Sequence, residues 1–243
     1  MTFDEFCQTH PVQEQDIYSA FFDLFKQTFA IKNKNLAVPK LKKILKATFK
    51  LSATQGFATM TLRQLCQETE MSMGGLYAYI NSKKQLSLYI HQFLNQFVIN
   101  IIDGVSNNHP EQTLEELIRY HVYISEVLQP WFFFAFMESK NLSPSQRKFA
   151  IQSELLMESK LVEAIEEGQK LEIYSTILSA TSIAAHIKPL LHDWYLKRWK
   201  YMQRKTTIDD FCFSVLIFIN RGLTSPHSLH EHSQTNEEQN HDK

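Results

Sequence analysis

The 243 residues predict an all-α protein, and three observations carry that expectation. Apolar residues recur at three- and four-residue spacing in one stretch after another, which gives helices an apolar face. Chain-breaking residues are scarce, with 6 glycines and 7 prolines, and few period-two alternations of the kind strands need are found. Residues suited to helix caps stand at the edges of the periodic stretches, as Thr61, Ser72, Asn81 and Ser82 do.

Taken in order, an extra N-terminal helix is expected over 13–31, where Ile17, Phe21, Leu24, Phe25 and Phe29 form one apolar face. That face suits packing on the body of the protein. A second helix is expected from Pro39 to Ala53, with Pro39 in the tolerated first turn and Leu41, Ile44, Leu45 and Leu51 turned inward. Two short helices follow, over 61–68 and 72–79, joined by a tight turn; Leu62, Leu65, Cys66, Met71, Leu76 and Ile80 supply their shared core. A long helix over 82–105 carries Leu86, Ile90, Phe93, Phe97, Ile101 and Val105 on one stripe, and Asn107 to Pro110 close it. Such a helix would join a small head to a larger body. Helices over 111–128, 130–140, 144–169, 175–203 and 207–221 complete the bundle, with Gly168 ending the third and Pro189 kinking the fourth. The tail beyond Gly222 is polar, lacks apolar period and is expected to be disordered; its histidines 227, 230, 232 and 241 have no fixed geometry for a metal.

Residues 61–86 are the most informative segment. Met73 to Tyr79 bears no charge and holds Gly74 and Gly75 near its start, so the helix has a thin leading edge that can lie deep in a groove. Residues 32–50 contain seven lysines and no acid. A basic helix beside a helix-turn-helix is the footprint of a major-groove DNA reader. Charge is divided to match. Residues 1–31 hold one lysine against five acids, 32–84 hold ten Lys/Arg against Glu68 and Glu70, and 85–243 hold fourteen against nineteen acids. One basic module on an acidic body favours counterion release at phosphates and limits non-specific adhesion.

The pattern Ala47, Gly56-Phe57, Thr59, Thr61, Leu65, Ser72, Gly74, Leu76-Tyr77, Tyr79, Ser82-Lys83 and Leu86 resembles the DNA-binding domain of TetR/AcrR-family transcriptional regulators, over about a fifth of the chain. The chain departs from the family's Ala-Gly turn, having Thr69-Glu70, and places Ile80 where a phenylalanine is common. The resemblance implies domains at 38–86 (helix-turn-helix) and 87–222 (regulation and dimerisation), with an extension over 1–37 and a tail over 223–243. It also implies that Met73, Gly74, Gly75 and Ala78 face base edges in the major groove. Thr61, Tyr77, Tyr79 and Lys83 then clamp phosphates, Arg63 makes a bidentate base or phosphate contact, and Lys40, Lys43 and Lys46 add long-range attraction. Lys32 and Lys34 could add to that grip.

Two further sites are expected. Trp131, Phe133, Phe134 and Met137 lie on a segment apolar all round, which calls for burial. With Tyr120, Tyr123 and Phe149 they offer material for an apolar pocket, and the resemblance implies a small hydrophobic effector such as a fatty acid or acyl thioester. The last two helices are similar to the family's dimer-forming pair, which puts His192, Trp194, Tyr195, Phe211, Val215 and Phe218 at a homodimer interface. The full expectation is a homodimeric repressor on a palindromic operator, released by its effector. Alternatives are an activator, or a lipid-like sensor on the same fold with weak or no DNA binding.

Other classes find little support. No nucleophile–base constellation, phosphate loop, or CxxC or HExxH spacing is present, so no catalytic residue, metal ligand or cofactor is assigned. The three cysteines, Cys7, Cys66 and Cys212, are far apart and odd in number, which fits a reducing cytoplasm. The acidic start lacks the basic-then-apolar pattern of a leader. The longest apolar runs, 131–137 and 211–219, are too short to span a bilayer.

Overall fold

The computed structural model of the chain describes residues 1–105 and 109–223. The reading of 224–243 as a disordered tail and of Asn107 and Asn108 as a helix stop lies outside the described residues. Every regular element among the described residues is helical: α1 (Phe3–Thr9), α2 (Glu14–Phe25), α3 (Lys34–Gln55), α4 (Leu62–Thr69), α5 (Met73–Tyr77), α6 (Lys83–Ile102), α7 (Pro110–Val127), α8 (Gln129–Glu138), α9 (Pro144–Lys170), α10 (Ala180–Leu196), α11 (Arg198–Gln203) and α12 (Ile208–Leu223). A 3-10 turn at Ser139–Asn141 follows α8. The chain forms two compact units, 1–101 with 124–153, and 102–123 with the residues from 154 on. Residues 87–101 and 124–153 thus group with the N-terminal helices, although the sequence assigned them to the regulatory domain.

The extension is two helices where the sequence suggested one. A capping box between Thr2 and Glu5 starts α1, and α2 ends at Phe25. Its apolar face packs on elements of the first unit: Phe25 stacks on Tyr89 of α6 at 4.3 Å, and Phe21 lies 5.6 Å from Trp131 of α8. Phe29, in the turn that follows, is buried as well. Helix α3 begins five residues before Pro39, because the Asn33 side chain accepts from the Asn35 and Leu36 amides and caps it there. Pro39 is therefore the sixth helical residue, past the first turn, and it takes one backbone donor out of the helix. Gly56 ends α3 at φ 84°, a region that costs a side chain, and its amide returns to the Ser52 carbonyl at 2.9 Å.

Helix α8 is not buried all round. Trp131, Phe134 and Glu138 face inward, whereas Phe136 and Met137 are nearly half exposed. An i, i+3, i+7 face suffices for a helix that packs on one side.

In the second unit, Trp194, Tyr201 and Phe211 form a tight aromatic triad with centroids 4.9–5.0 Å apart. The expected helix over 175–203 is split, since Lys197 leaves helical geometry between α10 and α11. Asp193 stabilises the break: it pairs with Lys197 at 2.7 Å and accepts from Lys200 and Tyr201. These partners hold its carboxyl down at about 2 against its partial burial. Gly168 does not end α9, which runs on to Lys170. Any side chain at Gly168 would strike the Tyr174 ring, 2.1 Å from where its Cβ would stand.

Candidate functional site

The helix-turn-helix is built almost wholly by local caps. Thr61 forms a capping box with Gln64: the Gln64 amide donates to Thr61 Oγ1 at 3.1 Å, and the Thr61 amide donates to Gln64 Oε1 at 2.8 Å. At the other end of α4, Glu70 takes the left-handed conformation at φ 56°, and the Met71 amide returns to the Cys66 carbonyl at 3.0 Å. Ser72 then caps α5, accepting from the Gly75 amide at 3.1 Å. Ser82 does the same for α6 through the Gln85 amide. Leu65, Leu76 and Ile80 close the core between these helices.

Met73 and Tyr77 stand exposed on the rim of α5, with Gly74 beside them. A Cβ at Gly74 would meet nothing within 4 Å. Glycine inside a helix costs about 1 kcal/mol relative to alanine, and no packing among the described residues requires it there. The thin edge is therefore available to an outside surface. Gly75 differs, because its Cβ would lie 3.2 Å from the capping Ser72 hydroxyl. Ala78 is half buried.

The other expected DNA contacts divide into two groups. Arg63 is exposed at the first turn of α4 and has no ion-pair partner among the described residues, and the same holds for Lys40 on α3. Both remain available to an anion. Tyr79 and Lys83 are turned to the protein, whereas Thr61 is exposed with its hydroxyl in the cap. The Thr61 hydroxyl is engaged with Gln64, and the Tyr79 ring is buried beside Phe29 at 6.0 Å. The Lys83 ammonium donates to the Ala58 carbonyl at 2.8 Å and the Met60 carbonyl at 2.5 Å, over the Phe57 ring. It closes the turn between α3 and α4 from one side. Glu138 of α8 holds the same turn from another, accepting from the Phe57 amide at 3.3 Å and from Asn141 at 2.7 Å.

Five of the seven lysines in 32–50 form ion pairs within the chain, on four carboxylates, so the stretch is partly neutralised. Lys34 pairs with Asp23, Lys42 and Lys46 both with Glu14, Lys43 with Glu70 and Lys50 with Glu68, while Lys32 donates to the carbonyls of Lys26 and Gln27. Lys32 and Lys34 are thus engaged with the chain itself. The pairs are solvent-exposed and worth about 0–1 kcal/mol each, so a phosphate can displace them. Sequence reasoning missed this arrangement, although the acids of the extension, Glu14 and Asp23 among them, were its visible signal.

Of the residues expected at an apolar pocket, Trp131, Phe133, Phe134 and Met137 come together. They line a cavity of about 820 Å³ in the first unit, walled also by α2 and α3. Tyr120, Tyr123 and Phe149 do not line it. Tyr123 is buried in the second unit, its hydroxyl donating to Asp209 at 2.5 Å, Tyr120 is half buried in that unit, and Phe149 is half buried on α9. The α2 and α3 walls were not foreseen, because the apolar face of the extension showed that it packs but not which side chains it meets.

The expected dimer residues require correction. Trp194, Tyr195, Phe211 and Val215 are buried within the chain, with Trp194 wholly enclosed. His192 is half buried, 3.4 Å from Glu154, which also binds the buried Lys188 at 3.2 Å. Phe218 is 69% exposed, and α12 presents Phe213 and Ile217 with it.

A capped helix-turn-helix with an open-edged second helix defines a DNA-binding module of the transcription-factor class. Residues 44–90 match the family described as bacterial regulatory proteins, tetR family. The chain is 24% identical to the HTH-type transcriptional regulator HbdR of Aromatoleum sp. (strain CIB), over 74% of this chain and 76% of that one. Its fold is similar to the TetR-family regulator PfmR of Thermus thermophilus (TM-score 0.65, 19% identity, covering 75% of this chain and all of that one). It is also similar to FadR of Bacillus subtilis, solved with stearoyl-CoA (TM-score 0.58, 14% identity, 75% and 98% covered). The match to the tetR family is that of the DNA-binding domain, residues 44–90, and the likeness to the solved regulators is one of fold. None of the helices among the described residues is long and apolar enough to cross a membrane.

Proposed function

We propose that the protein is a homodimeric repressor that binds a palindromic operator and is released by a small hydrophobic effector. The observation that carries the DNA part is Gly74: an open, uncharged edge on α5, in the same module as the exposed Arg63. In this reading 38–86 is the DNA-binding domain and 87–222 regulates and dimerises. The two α5 helices enter major grooves about 34–36 Å apart, or a multiple of that. With so few polar atoms on α5, contact with thymine methyl groups and DNA shape supply much of the specificity. The exposed Phe213, Ile217 and Phe218 of α12 support dimerisation through that helix. The stearoyl-CoA held by FadR supports an acyl-type effector. An effector shifts the equilibrium only by its differential affinity for the two states.

A second reading, a sensor with weak DNA binding, is favoured by the ion pairs that neutralise Lys34, Lys42 and Lys46. Selection of genomic fragments by the purified protein at near-physiological salt decides between them. Enrichment of a palindrome supports the regulator. A folded dimer that enriches nothing, with and without laurate, supports the sensor. Activation in place of repression would follow from the position of the operator.

A further inference from the structure

We propose that the cavity walled by α2, α3 and α8 is a binding site for an amphipathic carboxylate, its apolar body on the aromatic floor and its carboxylate at Lys46 and Lys50. The size suits the assignment: about 820 Å³ is within the range of small-molecule sites, roughly 300–1,000 Å³. The floor is apolar and already formed. Ile17 and Tyr18 of α2, Phe49 of α3, and Trp131 and Phe134 of α8 are each at most 9% exposed. Trp131 lies 5.1 Å from Phe49 and 6.3 Å from Tyr18.

The polar groups of the wall decide the ligand's charge. The two carboxylates there already face donors: Glu14 takes Lys42 on one oxygen and Lys46 on the other, and Glu138 takes the Phe57 amide and Asn141. Donors are in surplus. Each ammonium carries three N–H groups, and among the described residues Lys46 and Lys50 each have one ion-pair partner, Glu14 and Glu68. The Ser52 hydroxyl, on the same wall, is buried and has no hydrogen-bond partner among the described residues. An unpaired buried hydroxyl is unfavourable, and a ligand oxygen would satisfy it. A wall whose two carboxylates already face donors, and whose Lys46, Lys50 and Ser52 have N–H and O–H groups to spare, favours a ligand that presents oxygen acceptors with negative charge.

The site's location has a consequence for regulation. Its walls include the C-terminal half of α3 and the end of α8, and Glu138 links α8 to the turn that leads into α4. A ligand wedged there acts directly on the DNA-binding module. This regulatory part rests on the effector-release reading; the binding site itself does not.

The test is calorimetric titration of the full chain with laurate, dodecanol and dodecyltrimethylammonium. Laurate is expected to bind, dodecanol about three- to tenfold more weakly, and the ammonium compound more weakly still. Lys46→Gln/Lys50→Gln should bring laurate to the affinity of dodecanol. Ala53→Trp and Met137→Trp, at exposed positions on the wall where the fold is least at risk, should each abolish laurate binding while helical content is kept. No laurate binding, unchanged affinity in both tryptophan variants, or tighter binding of the ammonium compound would overturn the site. Operator binding, followed by anisotropy, separates the two ideas. Laurate that binds in the cavity yet leaves the operator bound refutes effector release alone. Release that persists in Ala53→Trp refutes the site alone.

Discussion

Glu70 occupies a backbone position that glycine fills at lower cost. Its φ of 56° carries the steric penalty of a left-handed side-chain residue, and its contact with Lys43, at 3.9 Å and exposed, offsets little. Glu70→Gly is expected to stabilise the protein by about 0.5–1 kcal/mol, read as a higher midpoint in thermal unfolding. A lower midpoint would mean that the Lys43 contact matters more than the backbone. His91 is the complementary case. Its ring is buried, its Nε2 has no partner among the described residues, and burial lowers its pKa to about 4, with Glu138 opposing the shift. The unfolded chain, near the usual 6.5, therefore binds the proton more readily between pH 6.5 and 4, so stability is full above pH 6.5 and falls as pH drops through that window. The loss from pH 7 to 4 is about 2–3 kcal/mol. Denaturant titrations of wild type and His91→Phe should show a smaller acid-induced loss in the variant. Equal losses would mean that water or a shifted ring already accommodates the proton.

At the scale of elements, α5 and the turn before α4 separate two roles that look alike in sequence. Gly74→Leu should leave the fold intact, or stabilise α5 by up to about 1 kcal/mol, because nothing stands within 4 Å of its Cβ. Operator affinity should nevertheless fall at least tenfold on the order-of-magnitude scale of a lost close approach. A variant that binds as wild type would show that α5 does not lie against the bases. Arg63→Ala should weaken binding and lower the slope of log K against log salt by about 1 if it meets a phosphate, or relax specificity at one base pair if it meets a base. Lys83→Ala tests the opposite role. With its ammonium on the Ala58 and Met60 carbonyls, its loss should lower the unfolding midpoint and leave the salt slope unchanged.

For the whole molecule, the decisive surface is α12. Phe213 and Phe218 are 63% and 69% exposed. Two charges there should shift the protein from dimer to monomer in sedimentation. Phe213→Glu/Phe218→Glu should also lose cooperative binding to a palindrome while retaining its circular dichroism, and Phe136→Glu, on the first unit, should change neither. A double variant that stays dimeric would place the interface elsewhere.

What the sequence by itself determined is the part of the protein governed by neighbours along the chain. Thr61 with Gln64, Ser72 with Gly75, and the left-handed turn at Glu70 close hydrogen bonds three to five residues apart. The helix-turn-helix was therefore legible, down to its caps and its family. The apolar stripes of α2 and α6 were legible for the same reason, apart from Leu24, which stands exposed: a helical period shows which face is buried. It does not show what that face meets. Only the tertiary structure brought Glu14 to Lys42 and Lys46, 28 and 32 positions away, and turned a basic helix into a partly neutralised one. It likewise moved Lys83 from the DNA rim to two carbonyls, enclosed Trp194 and Phe211 in a core, and joined Trp131 to Tyr18 and Phe49 around a cavity. Charge and apolar surface act through space without a direction along the chain. Partners distant in sequence are therefore chosen by packing, and the site they build appears only once the helices are assembled.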